Sequence, residues 1–177
     1  MGVMVDELLL LARLGEGRKP EREPVDLARV VADAVGDARA ADAGRAISLD
    51  APAELVVTGD EHQLRQVVAN LLGNARKHTP PDCPVHVRML REAGSTGEAV
   101  LEVADEGPGL APEVAAKVFE PFYRADKSRA RQSGGAGLGL AIVAAIVAAH
   151  GGSVALETQP DKGATFSVRL PLASSQA

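Results

Sequence analysis

Aromatic residues are the scarcest component of this sequence. Trp is absent, and the 177 residues include three Phe and one Tyr. A core must therefore be built from Leu, Val, Ile and Ala, which fits a hydrophobic fraction of 46% and argues against wholesale disorder. Phe119, Phe122 and Tyr123 lie within five positions, and this clustering singles out their segment.

The sequence also contains only one cysteine, fewer basic than acidic residues, and no long apolar run. The single cysteine, Cys83, excludes an internal disulfide and cannot alone form a cysteine zinc site. A net charge of −5 and a pI near 5.4 argue against general nucleic-acid binding. No apolar run is long enough to span a bilayer, and residues 1–14 lack the basic start and the cleavage site of a signal peptide.

The chain divides by composition into four segments. Apolar residues at helical spacing predict an amphipathic helix over about residues 3–14, and we interpret segment 1–14 as the end of a longer helix. The alternative is a helix that docks on its own domain. The charged, Pro- and Gly-rich stretch 15–24 predicts a linker, residues 25–172 the main domain, and residues 173–177 a C-terminal tail.

Periodicity in the main domain predicts helices separated by pairs of strands. Asp26 and Asp60 are expected N-caps of two helices, which run to about Gly44 and His78. A third helix over residues 137–150 is apolar nearly all round and should be buried. The strand candidates are Ile47–Asp50, Leu55–Thr58, Val85–Leu90, Ala99–Ala104, Ser153–Glu157 and Ala164–Leu170. This order predicts an α/β sandwich, in which one mixed, mainly antiparallel sheet carries three helices on one face.

The second helix of the main domain carries a polar stripe. Asn70, Asn74, Lys77 and His78 are spaced at i, i+4, i+7 and i+8, which places them on one side of the helix. Asparagine is unfavourable inside helices, so two stacked asparagines need a reason. Their amide oxygens suit Mg²⁺, and Lys77 can neutralise a phosphate. The alternative is an ordinary solvated face.

Two glycine-rich segments indicate close approach of the backbone to a ligand. Asp105-Glu106-Gly107-Pro108-Gly109 follows a strand, so its carboxylate can accept a hydrogen bond from a ligand amine, although a simple turn is the alternative. Gly134-Gly135-Ala136-Gly137-Leu138-Gly139-Leu140 opens the third helix, where bare amides favour anions. It lacks the preceding strand of a dinucleotide fingerprint and the GK[ST] ending of a P-loop.

An aromatic and basic segment lies between these two. Val118-Phe119-Glu120-Pro121-Phe122-Tyr123-Arg124 is followed by Lys127, Arg129 and Arg131. The aromatic residues could anchor a mobile basic loop, from about residue 124 to residue 137, as a lid over phosphates. The alternative is a surface loop with incidental charge.

In this order the segments resemble the ATP-binding catalytic domain of bacterial sensor histidine kinases. That domain belongs to the superfamily of gyrase, Hsp90, histidine kinases and MutL, and the resemblance covers residues 24–171. The matching segments are Asn70–His78 for the N box, Asp105–Gly109 for the first glycine box, Val118–Arg124 for the F box, Gly135–Gly139 for the second glycine box and Gly163–Phe166 for the final glycine motif.

The resemblance implies ATP and Mg²⁺ as ligands and a role for each matched residue. Asp105 would accept the adenine amino group, Asn70 and Asn74 would coordinate Mg²⁺, and Lys77 and Arg124 would contact phosphates. Asn70, Asn74, Lys77 and Arg124 are thus the expected catalytic set. The other residues expected at the nucleotide are His78, Gly107, Gly109, Gly135, Gly137, Leu138, Gly139 and Thr165.

Asn70 helps to choose within the superfamily. ATPases and serine-directed anti-sigma kinases of this group usually carry a glutamate there, which can polarise water or a hydroxyl, whereas asparagine is a poor base. The resemblance therefore implies phosphoryl transfer to a histidine. The alternatives are an ATPase or serine kinase of the same superfamily, or a degenerate nucleotide-binding interaction module.

The phosphoacceptor is expected outside this chain. None of its four histidines lies in a His-Glu-Leu-Arg-like motif, and residues 1–14 resemble the end of a dimerisation hairpin that would carry one. The resemblance implies ATP, that hairpin domain and a response regulator as partners, with no nucleic acid. It also implies a monomeric chain, a homodimeric parent and a cytoplasmic domain of a bacterial inner-membrane sensor.

Overall fold

A computed structural model describes residues 2–15, 22–92, 97–124 and 136–173. These ranges contain five helices and seven strands. In chain order they are α1 (Gly2–Gly15), β1 (Glu23–Asp26), α2 (Leu27–Ala41), β2 (Ile47–Asp50), β3 (Val56–Gly59), α3 (Glu61–His78), β4 (Val85–Glu92), β5 (Glu98–Asp105), α4 (Pro112–Ala115), α5 (Gly139–Ala149), β6 (Ser153–Thr158) and β7 (Ala164–Pro171).

A five-stranded mixed sheet carries the domain. Its strand order is β2-β4-β5-β7-β6, with β2 and β4 parallel and the other neighbours antiparallel. The expected pairing of β4 with β5 and the closing β6–β7 hairpin are both present. The predicted α/β sandwich is therefore confirmed.

A separate two-stranded ribbon was not expected from the sequence. β3 pairs with β1 in this ribbon and not with β2 in the main sheet. The stretch Glu23–Asp26 is only four residues long and contains a proline, so it carried no alternation signal. The last residue assigned to the predicted linker, Pro24, thus lies in a strand.

The hydrophobic core lies between the main sheet and the long helices. The apolar face expected for α3 is buried along its whole length, from Leu64 to Ala75. Every second residue of β7 from Ala164 to Leu170 is buried, as pleat alternation requires for a sheet covered on one face. Because aromatic residues are rare, aliphatic side chains and Met89 fill this core, with Phe166 as the buried aromatic residue among those described.

Side-chain caps set where the helices begin. Asp26 Oδ1 accepts from the backbone N of Ala28 at 3.1 Å and also from the N of Leu55 at 3.2 Å, which ties the start of α2 to the chain before β3. Asp60 Oδ1 accepts from Gln63 N at 3.1 Å and caps α3. Both expected N-caps are confirmed.

The helix ends differ from expectation by a few residues. α2 ends at Ala41 and not near Gly44, because a turn closes where Arg45 N donates to Asp42 O at 3.1 Å. α5 spans Gly139–Ala149 inside the predicted range, and five of its residues are buried. In the described ranges no helix is long and apolar enough to cross a membrane.

The first helix lies against the domain on one side only. α1 contacts α5, and Leu10, Leu11 and Leu14 pack against the core. Its other side leaves Val5 and Leu9 exposed by 54% and 49%. The helix therefore contacts this domain along one side while it keeps an apolar stripe in solvent.

Candidate functional site

Asp105 is the last residue of β5, the central strand of the sheet, and its partners in the neighbouring strands are Val85 and Ala164. Its Oδ1 accepts from Gly107 N at 2.9 Å. Partial burial raises the pKa of Asp105 above its ordinary value, and hydrogen bonds from the Gly107 and Ala164 backbones, together with the charges of Arg45 and His78, partly oppose this. A half-buried carboxylate of this kind gains from an additional hydrogen-bond donor.

The glycines after Asp105 interlock with the β6–β7 turn. Gly163 N donates to Gly107 O at 3.0 Å, and Asp161 N donates to Pro108 O at 2.7 Å. Gly109 and Gly163 have φ of +63° and +72°, and a Cβ at either would overlap a backbone carbonyl oxygen, of Gln159 and Asp105 respectively. These positions are restricted to glycine by both conformation and space.

The polar stripe on α3 has the expected alignment. Asn70 lies midway along the helix and Asn74 one turn later, and both are half-buried, while the more exposed Lys77 and His78 lie at its end. Asn70 Nδ2 donates to Gly139 O at 3.2 Å, so this asparagine joins α3 to the first residue of α5. The amide group is thereby oriented, and its Oδ1 stays available as an acceptor.

His78 lies within electrostatic range of both Lys77 on the polar stripe and Asp105 at the end of β5. Its pKa is lowered from the ordinary value, first by partial burial and then by the charges of Lys77 and Arg124, while Asp105 raises it. These four side chains therefore share one electrostatic environment at the end of α3. Three of them are basic residues, and such a cluster favours anions.

The start of α5 is fastened to the aromatic segment. Phe122 N donates to Gly137 O at 3.0 Å, and Gly137 has a φ of +74°. Phe119 packs edge-on against Phe166, with ring centroids 6.3 Å apart and planes at 89°. Phe119 therefore anchors the aromatic segment to the core, whereas Phe122 is 59% exposed, and Leu138 is buried beneath the start of α5.

Thr165 is not brought to this cluster. On β7 it lies between the buried Ala164 and Phe166, so pleat alternation places it on the sheet face away from the helices. Ala164 is the residue that pairs with Asp105. Gly135 and the expected lid residues 125–135, with Lys127, Arg129 and Arg131, lie outside the described residues.

Comparison with known proteins assigns the family. Residues 59–174 match the family of histidine kinase-, DNA gyrase B-, and HSP90-like ATPases. The chain belongs to this family. The match runs from the last residue of β3 past the end of β7, and so includes each site residue described above.

Within this ATPase family, relatives similar in sequence to this chain are named sensor or sensor-like histidine kinases. A Mycobacterium tuberculosis protein named "Probable sensor histidine kinase TcrY" is 50% identical over 96% of this chain, which covers 35% of that protein. SenX3 of Mycolicibacterium smegmatis, named a sensor-like histidine kinase, is 40% identical over 95% of the chain and 44% of its own length. The chain thus spans less than half of these relatives and corresponds to their catalytic domain.

Solved structures of histidine kinases have the same fold. The mycobacterial sensor histidine kinase MprB superposes with a TM-score of 0.73 at 33% identity, covering 85% of this chain and 97% of that one. Full-length ShkA in complex with AMPPNP superposes with a TM-score of 0.82 at 34% identity, covering 99% of this chain and 36% of ShkA. The ATP-binding catalytic domain implied by the sequence resemblance is confirmed.

Two residues beside the Asp105 cluster were not identified from the sequence. Arg45 is buried, and its Nη1 donates to Thr79 Oγ1 at 2.7 Å. Thr79 in turn contacts Gly107, since a Cβ there would lie 2.5 Å from Thr79 Cγ2. Arg45 follows a glycine in a turn and resembles a surface residue in sequence, so no local signal indicated it.

Proposed function

We propose that this domain binds Mg·ATP and donates the γ-phosphoryl group to a histidine in the dimerisation hairpin of its parent protein, for relay to a response regulator. One observation carries the proposal: the half-buried Asp105 carboxylate lies near the end of α3, the helix that bears Asn70 and Asn74. The glycines that follow Asp105 have no side chains to cover it.

Adenine selectivity follows from the chemistry of Asp105. An ionised carboxylate only accepts hydrogen bonds, so it pairs with the exocyclic amine of adenine and repels the carbonyl oxygen that guanine places there. The elevated pKa of Asp105 reflects an unfavourable partial burial of charge, which a bound amine would compensate. Gly107 and Gly109 would belong to the nucleotide site through their backbone, which lies next to Asp105 and packs against Thr79 and Gln159.

Magnesium fits the donor set of α3. Asn70 and Asn74 lie one turn apart and can each supply a neutral amide oxygen, with the nucleotide's phosphate oxygens and water as the other ligands. Bound Mg²⁺ would offset phosphate charge. Within the described ranges no group of three or more His, Cys, Asp or Glu could hold a metal instead.

Phosphate binding is assigned to the basic end of α3 and the start of α5. Lys77 and Arg124 share an electrostatic environment with His78, and their positive charge favours a triphosphate. Gly137 and Gly139 bring the backbone to the start of α5, where helix amides favour anions. Gly135, outside the described residues, completes the proposed set.

Transfer requires a nucleophile from outside this domain. Asn70 is a poor base, and its amide is bonded to Gly139 O, so neither water nor a serine would be activated there. A neutral imidazole nitrogen needs no such base: it attacks the γ-phosphorus, ADP leaves, and a phosphohistidine forms. Residues 1–14 are proposed as the end of the hairpin, 15–24 as a linker and 173–177 as a tail.

The proposed setting follows the histidine-kinase relatives. The parent protein would be a homodimeric sensor of the bacterial inner membrane, with this domain in the cytoplasm and monomeric when separate. Its partners would be ATP, its own hairpin domain and a response regulator.

The test incubates the chain with γ-labelled ATP and Mg²⁺, alone and with the parent's hairpin domain. The expected result is acid-labile label on the hairpin and none on the chain alone. Asp105→Ala serves as the binding-deficient control. Label on the lone chain, or rapid release of free phosphate, would contradict the proposal and favour a self-modifying or ATPase activity.

A further inference from the structure

Arg45 is a buried cation outside the residues assigned to ATP. Its side chain is 2% exposed, and its guanidinium joins three segments of the chain. Nε donates to Asp42 Oδ2 at 3.0 Å, Nη1 donates to Cys83 O at 3.0 Å and to Thr79 Oγ1 at 2.7 Å, and Nη2 donates to Thr79 O at 3.4 Å. A buried arginine with this many partners has a fixed position.

The bond from Arg45 fixes the orientation of Thr79. The Thr79 hydroxyl donates to Ala75 O at 2.7 Å and accepts from Arg45, so both its donor and an acceptor site are used. The methyl group is then turned toward Gly107, where a Cβ would lie 2.5 Å from it. The Thr79 methyl group therefore packs in a fixed position against the backbone of Gly107.

Gly107 transmits this constraint to Asp105. Its backbone N donates to Asp105 Oδ1 at 2.9 Å, and its carbonyl oxygen accepts from Gly163 N at 3.0 Å. The orientation of the carboxylate therefore depends on where the Gly107 peptide lies. The positive charge of Arg45 also lowers the pKa of Asp105, as does that of His78, against the larger effect of burial.

We propose that Arg45 is a positioning residue for adenine recognition, which acts through Thr79 and Gly107 to hold the Asp105 carboxylate toward the base. The proposal rests on the proposed assignment of Asp105 to adenine. It predicts an effect specific to the base, because none of the contacts of Arg45 involves the residues assigned to phosphates or Mg²⁺.

The test compares Arg45→Met with Arg39→Met in the full chain. Arg39 is a matched control, since this exposed arginine donates to Ile47 O at 3.0 and 2.7 Å and ties α2 to β2 without contacting the site. Affinities for Mg·ATP and Mg·GTP are measured between pH 5 and 8, with the thermal midpoint of each variant as a measure of folding.

Arg45→Met is expected to weaken ATP binding about tenfold and GTP binding much less, since a misplaced charge-assisted hydrogen bond affects adenine alone. The loss of ATP affinity on acidification should also begin at a higher pH in this variant, because removal of the Arg45 cation raises the pKa of Asp105 further. His78, Lys77 and Arg124 face the same region and are unchanged in both variants. Arg45→Lys should restore part of the pH profile through its charge.

Thr79→Val carries the same test with less risk to folding, because it keeps the side-chain shape and removes the hydroxyl that Arg45 holds. If both Arg45→Met and Thr79→Val keep the wild-type ratio of ATP to GTP affinity and the wild-type pH profile, Arg45 is a structural residue only and the inference is wrong. If wild type itself fails to prefer ATP, the assignment of Asp105 is wrong instead.

Discussion

Asp105 and its neighbour Glu106 are two carboxylates in contrasting environments. Asp105 is half-buried with an elevated pKa, whereas Glu106 is exposed and contacts His86 Nε2 at 3.3 Å. Asp105→Ala is expected to weaken ATP binding by about ten- to a hundredfold, the loss of a hydrogen bond to a charged group worth about 1.5–3 kcal/mol. Titration calorimetry of both alanine variants checks this, and Glu106→Ala should bind as wild type does.

His150 holds two helices together in its neutral form. Its Nδ1 donates to Ile146 O at 2.8 Å, and its Nε2 accepts from the backbone N of Asp60 at 3.1 Å, so α5 ends against the start of α3. Burial lowers the pKa of His150 below 6.5; the bond to Ile146 and the charge of Asp60 oppose this, and Arg22 adds to it. Protonation would also remove the bond from Asp60.

This arrangement predicts loss of stability in acid. His150 has its ordinary pKa of 6.5 in the unfolded chain and a lower pKa in the folded domain. As the pH falls below 6.5, His150 therefore takes up a proton in the unfolded chain before it does so in the folded domain. The free energy of unfolding, which is highest above pH 6.5, decreases until the pH has passed the pKa of folded His150. Urea unfolding at pH 7.5 and 5.5 should show this decrease in wild type and a smaller one in His150→Gln. His78, whose pKa is also lowered, contributes equally to both proteins. Identical decreases would exclude His150 as the cause.

At the scale of elements, two glycines occupy helix positions without a structural requirement. Gly36 in α2 and Gly73 in α3 would each accept a Cβ with no atom within 4 Å. Gly73 also borders a cavity of about 290 Å³ between these helices. Gly36→Ala and Gly73→Ala are each expected to stabilise the domain by about 0.5–1 kcal/mol, with unchanged ATP affinity. Chemical denaturation measures the gain; a loss at Gly73 would mean that the cavity cannot take the methyl group.

Two turn glycines should respond differently to the same change. Gly163 and Gly97 both have positive φ, but a Cβ at Gly163 overlaps the Asp105 carbonyl, whereas at Gly97 it meets the Leu172 side chain. Gly97→Ala is expected to cost about 1–2 kcal/mol, mainly the strain of that conformation, because the end of the Leu172 side chain can move aside. Gly163→Ala should cost more and also weaken ATP binding, because the peptide next to Asp105 must move. Equal losses of stability in both variants, with ATP affinity intact, would argue against the interlocked turn.

At the scale of the whole molecule, local patterns predicted the elements, and contacts between distant residues were missed. The buried face of α3 repeats every three or four residues, so its sequence was sufficient. Arg45 and Thr79 are 34 positions apart, and no periodicity relates them. Thr165 was assigned to the nucleotide from a motif, but the pleat of β7 directs its neighbour Ala164 to that face. Which of two adjacent residues faces the site depends on the register with the partner strand, here β5.

The chain enters and leaves the domain at the same place. Val25 of β1 pairs with one side of Val57, and Leu172 forms a bridge on the other side, so the two crossings are roughly 10 Å apart. The 18 residues of α3 begin just beyond this point and end at His78, roughly 27 Å away. The described chain therefore enters and leaves this domain on one side, and the proposed nucleotide site lies at the opposite end of α3. The domain should thus tolerate insertion into a surface loop of an unrelated host protein, and such a chimaera should retain the ATP affinity of the separate chain.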